Sequence, residues 1–526
     1  MSQERRAKGI LVAVVIWCLI VLLAAASYKF VIQPYFSGRL EDKTRSKSQY
    51  DYSVAVALDS FSGYSILRSP VLQDELKAKK IRLDFQDDGA DYRGRIKALR
   101  SGKAQMAVFT IDSFLATGAE LGEYPASIVL IIDETQGADG IVAYKEGLAK
   151  LQDLDHPEAR FVLTPDSPSE FLARIVLAQF SLPSMPEKWA IEADGAEDVY
   201  KRFRAAKKTD KRAFVLWEPY VSAALAEDGA HVLLDSSQLR GYIVDVLVAG
   251  RKFLAEHPEQ VADIVEAYLR TAYSYSSREG GMTDLVMADA KTFGDRLQRE
   301  QAEKLVKGIR WKNTIENYAH FGLESGQNAA GIQHLEDIIP GIVEVLLQTG
   351  KLERDPVGDK ASTLFYDKIL RDLRAADFHP SRKLNLITGV DVPVPQLEAA
   401  AKVQELPPLN DAQWQNLAAV GEMRIKPIAF ARGTARLNVQ SERELAGLAK
   451  RLQSLPGYYV RVVGHARAEG DPEANRRLAE ERAQAAAQAL LNQGLQKTRV
   501  RATATAPTEE NGAAQSVSFE VGRPPY

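Results

Sequence analysis

The sequence predicts an α/β protein in three parts: an N-terminal transmembrane helix, two successive α/β lobes with a helical extension, and a smaller C-terminal α+β domain. Three features predict this. An uncharged apolar run opens the chain, apolar strands alternate with amphipathic helices from Tyr52 to Gly250, and a compact strand and helix segment follows a proline-rich stretch.

The first element is GILVAVVIWCLIVLLAAASY, the twenty residues 9–28 between Lys8 and Lys29. At 1.5 Å per residue this run spans a hydrocarbon core of ~30 Å. It reads as a membrane anchor. Ala24-Ala25-Ala26 keeps a cleaved signal peptide as the competing reading, although the run is longer than a usual signal core. Arg5, Arg6 and Lys8 on one side and Lys29, Arg39, Lys43, Arg45 and Lys47 on the other do not settle orientation by charge. Cys18, the only cysteine, lies inside the run, which leaves the rest of the chain without a thiol for a disulfide or a thiolate metal site. Residues 1–8 then form a cytoplasmic tail and residues 29–50 a polar tether.

Residues 51–376 carry the lobes. YSVAVALD, IRLDFQDD, AQMAVFTID and SIVLIID alternate with helical stretches, and the pattern resumes with RFVLTPD, WAIEAD, AFVLWEP, HVLLD and YIVDVLVAG. Strands alternating with helices predict βαβ units and parallel sheets. Crossings between the lobes are expected near Tyr144–Arg160 and Ser236–Tyr242. After Arg251 helical periodicity replaces the strands, as in QVADIVEAYLRTAYSY. Residues 377–415, with several prolines and weak periodicity, read as a linker, and residues 416–526 as the last domain.

RIKALRSGKAQMAVFTIDSF and FVLTPDSPSEFLARIVLAQFSLP resemble the nitrate, sulfonate and taurine type of periplasmic solute-binding proteins. The resemblance implies a two-lobed, type II-like fold that closes on a small molecule. In such a fold the ligand sits where strands end and helices begin, because unpaired amides converge there. The junction residues expected to bind are Ser60, Ser62, Tyr64, Thr110, Asp112, Ser113, Asp133, Asp139, Asp166, Ser167, Ser169, Trp217 and Glu218. Ser and Asp at these places also serve as ordinary helix caps, and a lone Trp beside an apolar strand is as often core. The junction loops hold several carboxylates and no basic residue, which favours a neutral polar or amine-bearing solute over an anion.

IAFARGTARLN followed by VRVVGHARAEGDPEANRRLAEERAQAAAQALLNQGL resembles an OmpA-like peptidoglycan-binding domain, with Gly464, His465, Asn475, Arg482 and Gly494 in matching places. The family holds the peptide stem with an Asp shortly after the Gly-His pair and an Arg fifteen positions later. Arg482 is the Arg, but Arg467 stands in place of the Asp and would repel the stem's ammonium. Arg467, Asn475 and Arg482 are therefore expected to form an altered site, with Glu469 and Asp471 near enough in sequence to substitute.

No His-Glu-x-x-His, Gly-x-Ser-x-Gly or phosphate-loop pattern occurs, so no catalytic residue, metal or cofactor is expected. The net charge of −3 gives no basic field, which argues against nucleic acid as a partner. The combined expectation is a single-pass inner-membrane protein with its bulk in the periplasm, passing a solute to an ABC permease. The alternative is an envelope sensor or adaptor that couples solute binding to peptidoglycan or a partner.

Overall fold

The computed structural model describes residues 50–294, 296–326, 331–358, 360–382, 406–467, 469–505 and 517–524. The expected tail, membrane helix and nearly all of the tether lie outside the described residues, as do residues 383–405 of the expected linker. Among the described residues no helix is long and apolar enough to cross a membrane.

The first lobe is built on β1 (Tyr52–Leu58), β2 (Ile81–Asp87), β3 (Met106–Thr110) and β4 (Ala126–Thr135). The second uses β5 (Asp139–Tyr144), β6 (Arg160–Leu163), β7 (Ala190–Glu192), β8 (Arg212–Trp217) and β9 (Ala230–Asp235). The chain then returns to the first lobe with β10 (Val244–Gly250) and, later, β11 (Ile309–Trp311). The strand orders are β11-β4-β10-β3-β1-β2 and β7-β6-β8-β5-β9. Every residue of β3, β4, β5 and β10 is buried, which is why these strands read as continuous apolar runs rather than alternating ones.

Two expectations are corrected here. The sheets are mixed rather than wholly parallel: β1 and β3 run parallel, but β10 lies antiparallel to both β3 and β4. A strand that returns from the other lobe enters the sheet in the opposite sense. The first crossing is also shorter and earlier than expected, since β4 ends at Thr135 and β5 begins at Asp139. Gly137 turns there with φ 107°, a conformation that suits glycine. The second crossing, residues 236–243, lies where expected.

The two crossings are tied together. Ser236 Oγ accepts from the amides of Gly137 at 2.7 Å and Asp139 at 3.3 Å. On the first-lobe side, Glu134 Oε1 accepts from the Gly241 amide at 2.6 Å while its Oε2 takes Lys312 Nζ at 2.6 Å. Burial raises the Glu134 carboxyl, but the Lys312 ammonium outweighs that and holds it down to about 2. It stays charged and keeps both bonds.

After β10 come helices at Arg251–Glu256, Pro258–Ser276, Gly281–Thr292 and Arg299–Gly308. β11 interrupts this helical stretch by pairing antiparallel with β4, a strand too short to show in the periodicity. The helix Leu335–Gln348 packs against Ile111–Leu121 of the first lobe and Pro168–Gln179 of the second.

The C-terminal sheet has the order β12 (Ala418–Glu422), β15 (Val517–Arg523), β13 (Tyr459–Gly464), β14 (Val500–Ala504), with helices Val439–Gln453 and Pro472–Asn492. Its core reaches back into the stretch read as linker. A helix at Asp411–Gln415 sets the Trp414 ring 5.5 Å from that of Tyr459, and Tyr459 Oη donates to the Pro407 carbonyl at 2.7 Å. Leu406 and Leu409 join this cluster. The prolines between them had masked an apolar anchor.

Candidate functional site: the cleft between the lobes and the arginine pair

Four of the expected residues meet across the lobes. Asp112 and Ser113, opening the helix Ile111–Leu121, face Asp166 and Ser167, which precede the helix Pro168–Gln179. With Glu170, Arg174, Leu346 and Lys351 they line a cavity of about 20 Å³. That is room for about one water molecule. The two lobes meet there with little space between them.

Helix capping does not account for these side chains. Thr110 and Ser167 occupy N-cap positions, yet neither makes a side-chain cap bond. Thr110 Oγ1 instead donates to Ser113 Oγ at 2.8 Å, Ser167 Oγ donates to the Thr164 carbonyl at 2.7 Å, and Thr117 Oγ1 donates to the Ser113 carbonyl at 2.6 Å. Among the described residues Asp112 Oδ1 and Ser169 Oγ have no hydrogen-bond partner. Burial, reinforced by the Glu170 charge across the cleft, pushes the Asp112 carboxyl up to about 7. It can therefore take or release a proton near neutrality.

The acidic loops are not left uncompensated, because the chain supplies cations of its own. Lys351 Nζ reaches Asp166 Oδ1 at 2.7 Å and Glu170 Oε1 at 3.2 Å. Arg174 pairs with Glu170 at 2.6 Å and donates to the Thr349 carbonyl at 2.8 Å, and Arg93 lies 3.4 Å from Asp166. Against the effect of burial, these cations hold Asp166 and Glu170 below the usual carboxylate range. Lys351 comes from 185 residues away in sequence, so no reading of the junction loops could have found it.

The remaining expected residues lie outside this cavity. Ser60 is exposed, and Ser62 starts a short 3₁₀ turn. Tyr64 is buried and donates its hydroxyl to Asp245 Oδ1 at 2.5 Å. Asp133 is fully buried on β4, opposite Asp245 of β10 in the strand register, and its carboxylate lies against Gly63. Among the described residues neither oxygen of Asp133 receives a hydrogen bond from a fixed donor. Burial pushes Asp133 up to about 8, and burial together with the Asp133 charge raises Asp245 well above the carboxylate range. Two dry carboxylates face to face keep at least one proton. Asp139 is raised to about 6 by burial, with Glu218 nearby. Trp217 packs on the core of the second lobe, while Glu218 accepts from Ser222 and pairs with Lys304 at 3.2 Å. Asp245 was missed, although an acid inside the apolar strand VDVLVAG was a visible signal.

In the C-terminal domain Arg482 is half-buried, with its guanidinium 5.2 Å from the Phe430 ring and Nε donating to the Thr434 carbonyl at 3.0 Å. Burial and then the nearby Arg467 charge lower its pKa, so the two arginines sense each other. Asn475 Nδ2 donates to the carbonyls of Arg467 at 3.0 Å and Glu469 at 2.6 Å, which fixes the loop that presents Arg467. Asp471 is committed to capping the helix Pro472–Asn492 through the amides of Glu473 and Ala474. Among the described residues neither Arg467 nor Arg482 has a carboxylate ion pair.

Residues 429–518 match the family model described as OmpA family. No curated protein matches the chain. The two-lobed region is similar in fold to solved periplasmic binding proteins. One is the aliphatic sulphonate binding protein SsuA from Escherichia coli, at 15% identity and TM-score 0.43, covering 57% of this chain and 89% of that one. Another is the nitrate-binding protein NrtA from Synechocystis PCC 6803, at 12% identity and TM-score 0.45, covering 63% and 92%. The desulfurization enzyme DSZB is similar at 11% identity and TM-score 0.42, covering 62% of this chain and 99% of that one.

Proposed function

We propose that this chain is a membrane-anchored periplasmic binding protein that captures a small polar, amine-bearing solute between its lobes and presents it to an ABC permease. The observation that carries the reading is the convergence of Asp112 and Ser113 with Asp166, Ser167 and Glu170 around one small cavity. The chain's own ammonium, Lys351 Nζ, lies between Asp166 and Glu170. A primary amine brought by a solute would make the same charge-assisted bonds in its place. Since about 20 Å³ holds no solute, the lobes must open to load. Calorimetric titration of the full chain with small primary amines, zwitterions and sulfonates tests this. Amine-bearing compounds should bind and Asp112→Ala should weaken them; binding by sulfonates lacking an amine, unaffected by Asp112→Ala, would exclude the proposed chemistry.

A second reading, an envelope sensor or adaptor, is favoured by one observation: the C-terminal domain is hydrogen-bonded to the lobes rather than hanging free. The Ser181 amide donates to the Glu422 carbonyl at 2.8 Å and the Arg424 amide to the Gln179 carbonyl at 2.7 Å. A carrier gains nothing from such a contact, whereas a sensor needs it. In either reading the OmpA-like segment, with Arg467 in place of a carboxylate, is proposed to bind peptidoglycan weakly.

A further inference from the structure

We infer that the C-terminal domain acts as a clamp on the hinge, so that whatever engages this domain regulates opening of the cleft. This rests on the two-lobed, closing-cleft reading above.

The contacts fall into two sets. One set fastens the domain to the second lobe alone: an antiparallel bridge joins Phe180 and Met423, the Glu422 amide donates to Gln152 Oε1 at 3.0 Å, and Gly421 leaves room for the Phe180 ring. These would ride with that lobe in any rotation. The other set reaches the hinge and what lies beyond it. The Arg240 amide, inside the second crossing, donates to the Ser454 carbonyl at 2.9 Å. Gln333 Nε2 donates to Ser454 Oγ at 3.0 Å, and Lys450 pairs with Asp337 at 3.0 Å.

Gln333 and Asp337 belong to the base of the helix Leu335–Gln348, which straddles the cleft, packing on Ile111–Leu121 of the first lobe as well as on Pro168–Gln179 of the second. The Gln333 carbonyl is itself held by His320 Nδ1 at 2.7 Å. Rotating the lobes apart about residues 136–138 and 236–243 therefore pulls the second set while leaving the first intact. The gripping loop is also stiff. Arg499, buried beneath it, donates to the carbonyls of Leu452 at 3.2 Å, Leu455 at 2.7 Å and Tyr458 at 3.1 Å. Three donors on one planar guanidinium fix residues 452–458 as a unit. A loop that rigid transmits a displacement of its domain to Arg240 instead of absorbing it, and by reciprocity closure of the lobes biases the domain.

The test needs no knowledge of the solute. Because Cys18 is the only cysteine, spin labels can be placed at Lys97→Cys in the first lobe and Lys201→Cys in the second, in the full chain carrying Cys18→Ser. Pulsed electron-spin distance measurement should give one short lobe-to-lobe distance. Gln333→Ala combined with Lys450→Glu, which removes two of the three hinge-side contacts without touching the cleft, should add a longer distance in roughly a tenth or more of the molecules. Lys351→Met, which cuts the cleft's own ion pairs, is the control. If Lys351→Met lengthens the distance and the clamp variant does not, the clamp is refuted and the closing cleft stands; if neither does, both fall.

Discussion

Asp133→Asn should make the protein more stable in mild alkali, an unusual direction for a substitution in a fully buried strand. Asp133 and Asp245 face each other across β4 and β10, with the Tyr64 hydroxyl on Asp245, Tyr268 close to both, and Lys312, Glu134, Asp59 and Asp139 as the surrounding charges. Folding lifts Asp133 from its ordinary 3.8 to about 8, so the folded state holds a proton that the unfolded chain gives up. The sign follows. The contribution is fully present below about pH 4 and is lost as the pH climbs to about 8, at up to ~1.4 kcal/mol per pH unit. The whole loss is on the order of 5 kcal/mol. Asparagine has the shape of the neutral acid, and its amide can donate to Asp245, so it keeps the contact and removes Asp133's share of the linkage. Urea unfolding followed by tryptophan fluorescence at pH 5, 6.5 and 8 measures this, with Trp311 Nε1 bonded to the Gly63 carbonyl as a reporter beside the pair. The variant should match or trail the parent at pH 5 and exceed it by several kcal/mol at pH 8. Equal pH slopes for the two proteins would refute the shared proton.

Other outcomes follow from the same geometry. Asp112→Ala should lower solute affinity about ten- to a hundredfold, the cost of a charge-assisted bond in a closed cleft, whereas Trp217→Ala, outside the cavity, should leave it unchanged in titration calorimetry. Lys351→Met should strengthen binding of primary amines by removing the internal competitor; weaker binding would show that Lys351 is part of the ligand site. Arg467→Asp should give the full chain measurable retention on peptidoglycan sacculi, and strong retention by the parent that is abolished in Arg482→Ala would overturn the altered-site reading. Trp414→Ala should destabilise the C-terminal domain by ~3 kcal/mol in thermal unfolding, because the ring seals the cluster with Tyr459. An unchanged transition would mean that the Asp411–Gln415 helix is an ornament of the linker.

What the sequence disclosed and what it withheld divide along one physical line. Strand and helix identity rests on local periodicity, so nine of the ten strands from Tyr52 to Gly250 and the C-terminal helices were legible, whereas β5, Asp139–Tyr144, was not read as a strand. Residue types at strand ends were legible too, which is why Asp112, Ser113, Asp166 and Ser167 stand among the thirteen junction residues, although nothing in the sequence set these four apart from the other nine. What no local pattern encodes is which distant group arrives beside them. Lys351 meets Asp166 after the chain has crossed back to the first lobe and run through the helical extension, and it sets a cation beside carboxylates that the loops alone show unpaired. The same holds for Asp245, whose effect on Asp133 exists only because β10 returns antiparallel beside β4, in a register that sets the two acids opposite. An excess of one charge sign in a set of sequence loops is therefore a question about the missing partner before it is a statement about a ligand. In this cleft the partner is the chain itself, so a solute competes with an internal ion pair rather than filling an empty field. Affinity for an amine then reports the difference between two similar contacts, and selectivity must come from the neighbouring Asp112, Ser113 and Thr110 hydroxyl and carboxyl groups that Lys351 does not satisfy.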